Sequence, residues 1–223
     1  MARDALPPLA IFDVCDTLFA TNTTFAFLNF YATTRHAPRL SAALARWTSR
    51  RSPGFYIGAA IYRLTGADLA RNRAIAALKG EDRAALESAA TRFAEDVLPS
   101  FANQPVMQRL AKHKSAGDEI LLASSSLDTV IEPIARGLGV DFIASTLGFD
   151  GNICTGRLAH DLTGTKLSAL ERHGLNRGRA VHVYTDNRSD ASLLAAATVA
   201  NIILPRGGRS RRWGTEQCNY IEL

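Results

Sequence analysis

The chain has 223 residues, 47% of them apolar and 21% charged, with a net charge of +5. That is the composition of a globular protein with enough chain to bury a full core, as one large domain or one domain with an insertion. No stretch reaches the ~20 apolar residues that cross a bilayer, and the opening Met1-Ala2-Arg3-Asp4 lacks the apolar region of a signal peptide, so a cytoplasmic location is expected. Cys15, Cys154 and Cys218 are too few and too scattered for a disulfide framework or a zinc site.

The first element is Leu9-Ala10-Ile11-Phe12, four apolar residues running into Asp13-Val14-Cys15-Asp16-Thr17. The pattern predicts a buried parallel strand that delivers Asp13 at its carboxyl end, where open α/β sheets bind ligands. From Ala20 to about Ser100 the pattern turns helical. Thr23 or Thr24 is placed to cap a helix over 25–31, Pro38 opens a second running to Trp47, and Asp68 and Asp82 stand at the starts of two Ala-rich segments. Such a helical insertion must pack over the end of the first strand if the chain is to return to the same sheet.

Between Ala20 and Ala67 there is no acid, whereas Arg35, Arg39, Arg46, Arg50, Arg51 and Arg63 all fall there. The resulting positive field suits a phosphorylated substrate, an anionic lipid surface or a nucleic acid. Trp47, Phe55, Tyr56 and Tyr62 interleave with these arginines, which fits peripheral membrane or lipid-linked contact, although aromatics at helical spacing also serve as core. A solvated helix face whose arginine stems cover apolar surface needs no ligand.

Beyond Pro105 helices and strands alternate. Helices are predicted over 106–114, 128–138, 165–173 and 190–197, and strands over 119–123, 142–146, 180–184 and 200–204, the last taken as the final strand. Residues 148–156 read as a hairpin with Asp150-Gly151 at its turn. The βαβαβ order predicts a doubly wound parallel α/β sheet made of residues 1–19 and 101–223, with 20–100 as an inserted helical cap. The basic tail Arg206 to Trp213 lacks a recognisable nucleic-acid fold, so it is read as a solvated loop.

Three predicted strands end in polar residues: Asp13 with Asp16 and Thr17, Ser124-Ser125-Ser126, and Asp186 with Asp190. Parallel strands bring such ends to one edge, where carboxylates could share a hard cation and a serine could donate a hydrogen bond. Lys166, opening a helix after a Gly-Thr turn, would offset the clustered negative charge and could hold a phosphoryl oxygen. Together these groups suit phosphoryl transfer through an aspartate nucleophile.

That order resembles the haloacid dehalogenase superfamily, in its phosphoserine-phosphatase-like branch with a helical cap after the first motif. Asp13-Val14-Cys15-Asp16-Thr17-Leu18 is similar to the first motif, Asp-x-Asp-Gly-Thr-Leu. The segment from Leu122 to Asp128 resembles the second motif, Lys166 matches the third, and Tyr184 to Asp190 resembles the fourth. The resemblance implies an HAD-like Rossmannoid core and a Mg²⁺-dependent hydrolase of a phosphate monoester. Asp13 would be the nucleophile, forming an aspartyl-phosphate, with Mg²⁺ held by Asp13, the main-chain carbonyl of Cys15, and Asp186. Ser124 would bind a phosphoryl oxygen, Lys166 would pair with phosphate and Asp13, and Asp190 would support Lys166 or the metal's water shell.

The chain departs from the family at Cys15, where phosphatases carry the second aspartate that protonates the leaving oxygen and then activates water. That assistance is worth ~10²–10⁴ in rate, and a thiol supplies it poorly. Asp16 replaces the usual glycine and is expected to cap the following turn. The retained Asp186 and Asp190 argue against a metal-free dehalogenase, and a cap whose only lysine is Lys79 against a phosphonate hydrolase needing a Schiff base. Phosphoserine is disfavoured because Ala20 to Thr24 offers no acid for its amine. A phosphotransferase, or a weakly catalytic binder of phosphorylated ligands, is the alternative.

Overall fold

A computed structural model describes residues 6–65, 68–172, 178–204 and 218–223, without the side chains of 62, 63 and 65. Tyr62 and Arg63 as side chains, His173, and the basic tail from Arg206 to Trp213 therefore lie outside the described residues.

The organising strand is β1 (Leu9–Phe12), paired in parallel on both sides, with β2 (Glu119–Leu127) and β5 (Val181–Thr185) as its neighbours. All four of its residues are buried. Successive side chains point to opposite faces, so Leu9 and Ile11 enter one core while Ala10 and Phe12 enter the other, and no position is left for a polar residue until Asp13. Outward from this centre lie β3 (Asp141–Asp150) and β4 (Ile153–His160) on one side, and β6 (Val199–Leu204) and β7 (Cys218–Glu222) on the other. The order is β4-β3-β2-β1-β5-β6-β7.

The pairs are parallel except β3 with β4, the hairpin expected over 148–156. Its connecting residues are Gly151 and Asn152, between the paired Asp150 and Ile153, and Gly151 takes φ +55°. The doubly wound α/β reading therefore holds with one antiparallel edge. Two expectations need correction. Strand β6 is not the last, because β7 extends the sheet; Cys-Asn-Tyr-Ile-Glu at an edge carries too few apolar residues to signal a strand. The first helix is capped by Asn22, not by Thr23 or Thr24, since the Asn22 side chain accepts from the Phe25 N–H.

Five helices lie between β1 and the rest of the sheet: α1 (Thr23–Thr34), α2 (Pro38–Thr48), α3 (Pro53–Thr65), α4 (Leu69–Ala76) and α5 (Arg83–Arg92). Asp68 and Asp82 cap α4 and α5 as expected. A π-helical turn (Phe93–Val97) and a 3₁₀ turn lead to α6 (Gln104–Ala116). The remaining helices are α7 (Asp128–Leu138), α8 (Lys166–Arg172) and α9 (Ala191–Ala195), the last preceded by a 3₁₀ turn from Arg188 to Asp190.

The segment after α4 is bound to the hairpin by main chain. Gly80 N–H donates to the Cys154 carbonyl, Cys154 N–H to that of Glu81, and Arg83 N–H to that of Asn152. The Arg83 guanidinium lies 3.8 Å from the Phe149 ring centre. Gly156 completes this junction with φ +72°, in a place where a Cβ would stand 2.9 Å from the Ala76 carbonyl oxygen. Gly156→Ala is expected to cost ~1–3 kcal/mol through both backbone strain and this contact. At this chain length that lowers the melting temperature by roughly 2–10 °C, and an unchanged thermal unfolding curve would show that the junction yields freely.

Candidate active site

Register along the sheet assembles the site. Phe12 lies opposite Leu122 on β2 and Tyr184 on β5, so the residues that follow, Asp13, Ala123-Ser124 and Thr185-Asp186, lie side by side at the carboxyl end of β1. The Asp13 N–H continues the ladder by donating to the Tyr184 carbonyl at 2.9 Å. Tyr184 stacks on Phe12 at 4.4 Å, and its hydroxyl meets His113 Nε2 at 2.9 Å, which anchors β5 against β1 and α6.

Lys166, the first residue of α8, reaches this edge with its side chain 2% exposed. Its Nζ donates to Asp13 Oδ1 at 2.9 Å and to Asp190 Oδ2 at 2.7 Å. Thr185 Oγ1 donates to the same Asp190 oxygen at 2.8 Å. Thr17 Oγ1 donates to Asp186 Oδ1 at 3.0 Å and receives the Asp186 N–H at 3.1 Å, tying the turn after β1 to the end of β5. Three of the expected residues, Asp13, Lys166 and Asp190, are thus joined directly, while Asp186 is held separately at the same edge by Thr17.

Charge is unbalanced here, with three carboxylates around one ammonium. Burial alone would lower the Lys166 ammonium pKa, but Asp13 and Asp190 outweigh it and hold the group protonated well above its usual range. Burial pushes the Asp13 carboxyl up, because one lysine shared with Asp190 does not fully offset the desolvation. The Asp186 carboxyl is pushed up to about 7 by burial and then by the charge of Asp13. Asp190 Oδ1 is buried without a hydrogen-bond partner among the described residues. Mutually repelling carboxylates and an orphaned acceptor are what an oxygen-ligated cation and its water shell would satisfy, so the donor set fits Mg²⁺.

Ser124 is fully buried, and its Oγ accepts from the Ser126 N–H at 3.1 Å, which leaves its own proton to donate. Cys15 lies beside the start of α1. Its Sγ is 3.0 Å from Thr23 Oγ1 and receives the Thr23 N–H at 3.4 Å. Thr23 gives its hydroxyl proton to Ser126 Oγ at 2.8 Å, so it is the thiol that donates to Thr23. Burial, then Asp13, pushes the thiol up to about 11, leaving it neutral at physiological pH. Asp16 does not cap the turn as expected: its carboxylate accepts no hydrogen bond among the described residues. It takes φ +53°, the left-handed conformation that glycine adopts freely and that Asp tolerates better than most residues.

Sequence reasoning missed Arg71. This residue of α4 is 8% exposed, and its Nη1 donates to the Ser125 carbonyl at 3.2 Å and to Thr163 Oγ1 at 2.9 Å, while its Nη2 pairs with Asp161. It joins the helical segment to the serine run and to the loop that precedes Lys166. Asp161 is 90 positions away in sequence, and no local pattern marks such a pair.

The description of haloacid dehalogenase-like hydrolases matches this sequence over residues 10–195. The chain belongs to that family. It is 26% identical over 215 residues to the protein CicA of Caulobacter vibrioides, covering 90% of this chain and 88% of CicA. It is also 26% identical over 211 residues to a probable phosphatase of Mycobacterium tuberculosis, covering 89% of this chain and 69% of that protein. A crystal structure of phosphoserine phosphatase in its apo form shares the fold, with a TM-score of 0.60 at 15% identity over 95% of this chain and 92% of that one. HAD membership accounts for the Rossmannoid sheet that brings Asp13, Ser124 and Asp186 to one edge.

Arg71→Ala would remove the partner of Asp161 and the donor to Ser125. Since the Asp161 side chain is 44% exposed and can turn to water, the expected loss of stability is held to ~1–3 kcal/mol, below that for a fully buried pair. Denaturant unfolding of Arg71→Ala beside Arg71→Lys measures it. Equal stability of both variants with wild type would mean that the link carries no load.

Proposed function

We propose that the protein is a Mg²⁺-dependent phosphatase acting on a phosphate monoester through an aspartyl-phosphate on Asp13, with residues 20–100 as a cap over the site. The observation that carries this reading is Lys166, buried between Asp13 and Asp190 at the end of the central strand with Asp186 alongside. A pure binding module has no use for a carboxylate so placed. The probable phosphatase among its relatives supports the same reading.

Asp13, Asp186 and the main-chain carbonyl of Cys15 would hold the cation, which when bound offsets repulsion between carboxylate and phosphate. Lys166 holds one Asp13 oxygen and leaves the other without a side-chain partner among the described residues, available to attack phosphorus. The Asp13–phosphorus bond forms as the bond to the leaving oxygen breaks. Ser124 and Lys166 donate to the phosphoryl oxygens. Water then attacks phosphorus, releasing phosphate and restoring the Asp13 carboxylate.

Both halves of this cycle normally use an acid–base group at the position of Cys15. A neutral thiol bonded to Thr23 neither protonates the leaving oxygen efficiently nor draws a proton from water. Substrates whose leaving group needs little protonation are therefore favoured, and the aspartyl-phosphate is long-lived. The same feature favours a second reading, transfer of the phosphoryl group to an acceptor hydroxyl, which would appear as phosphorylated acceptor when products are analysed.

Hydrolysis of p-nitrophenyl phosphate with Mg²⁺ is expected in the wild type and absent in Asp13→Asn. Turnover that persists in Asp13→Asn removes Asp13 as nucleophile. Cys15→Asp would meet the Thr23 N–H at the start of α1, a donor suited to a carboxylate. Its hydrolysis of an alkyl phosphate, a poor leaving group, is expected to exceed that of wild type by ~10² or more. The absence of a gain would mean that another group already supplies the proton.

A further inference from the structure

Helix α3 is apolar on its outer face as well as its inner one. In an ordinary surface helix the apolar stripe faces the core. Here the inward positions include Gly54 and Gly58, both buried, and a Cβ on Gly54 would stand 2.5 Å from the Arg46 carbonyl oxygen of α2. Phe55 and Ile61 are half-buried, but three large apolar side chains face outward: Tyr56 is 62% exposed, Ile57 53% and Leu64 84%. With the exposed Pro53 and Ala60 they fall within an arc of about 100° at 3.6 residues per turn. Every exposed residue described on α3 is apolar.

The surroundings have one sign of charge. Helices α1 to α4 contain no Asp or Glu, and Asp68 is occupied in capping α4. Arg50 and Arg51 are exposed immediately before α3, and Arg39 and Arg46 are exposed on the neighbouring α2. An apolar stripe rimmed by arginines and free of acids complements an anionic lipid surface, where the side chains of the stripe enter the acyl boundary and the guanidiniums meet phosphate headgroups. Pairing of two copies through the same stripe would set arginines against arginines with no acid to receive them. At 13 residues α3 is about 20 Å long, shorter than the ~30 Å hydrocarbon core, and no helix among the described residues is long and apolar enough to cross a membrane.

We propose that the outer face of α3, with the arginines of its N-terminal loop and of α2, docks the protein peripherally on anionic phospholipid membranes. The helix lies in the plane of the interface. The docking is independent of the catalytic reading and stands on exposure and charge alone.

Cosedimentation of the full chain with vesicles of phosphatidylglycerol and phosphatidylcholine, and with vesicles of phosphatidylcholine alone, tests it. Binding is expected to the anionic vesicles, weakened by salt, and little to the zwitterionic ones. The double variants Ile57→Asp/Leu64→Asp and Arg50→Glu/Arg51→Glu should each lower the anionic binding by about tenfold or more. Circular dichroism and thermal melts confirm that these surface substitutions leave the fold intact. Equal binding to both vesicle types, no binding to either, or folded variants that bind as wild type does would overturn the proposal. So would light scattering that shows a wild-type dimer abolished by Ile57→Asp/Leu64→Asp without any vesicle binding, which would assign the stripe to a second copy.

Discussion

The structure depends on one buried ammonium. Lys166 sits at the carboxyl edge of the sheet with almost no access to water, a position unfavourable for a lone charge. It is tolerable because two carboxylates arrive there from different elements, Asp13 from the end of β1 and Asp190 from the turn before α9. The converse also holds: without Lys166 those carboxylates would face each other in a dry site. Position and ionisation are therefore linked, and the need to satisfy this triad fixes how α8 and the loop after β5 approach the central strand. Thr185 extends the network by one hydrogen-bonding step, and Thr17, bonded separately to Asp186, holds the turns after β1 and β5 together.

Three carboxylates and one lysine leave the edge with excess negative charge, expressed in the raised Asp186 carboxyl and the unpaired Asp190 oxygen. A stability-optimised interior would not retain such a deficit. Unmet demand of this kind is ordinary where a cation and a phosphoryl group are to be received, because the ligands complete what the side chains leave open.

Much of this was legible in the sequence because strand ends are local signals. Four apolar residues followed by Asp13 mark a buried strand and its terminus, and the same logic finds Ser124 and Asp186. The network beyond those ends was not legible. Arg71 and Asp161 meet through the packing of α4 against the loop before α8, and nothing in either neighbourhood specifies the other. Thr23 was readable as a helix start but not as the partner of Cys15 and Ser126; its hydroxyl is used across the fold, and Asn22 does the capping. Strand β7 escaped because edge strands need fewer apolar residues than central ones.

The two residues at which the first motif differs from the pattern it resembles, Cys15 and Asp16, differ in kind. Asp16 accepts a left-handed backbone that glycine would take without strain, so the geometry of the turn is preserved at a modest conformational cost. Cys15 keeps the main-chain carbonyl but changes the side-chain chemistry, and its surroundings agree with that change. The Thr23 hydroxyl, Ser126 and Thr24 form a neutral chain of hydrogen bonds that ties the first inserted helix to β2. A thiol fits this chain as one more neutral member, whereas an aspartate would introduce a further negative charge at an edge that already carries an excess. Cysteine at this position therefore lowers the electrostatic demand of the folded site, and under the proposed phosphatase reading it does so at the expense of acid–base assistance.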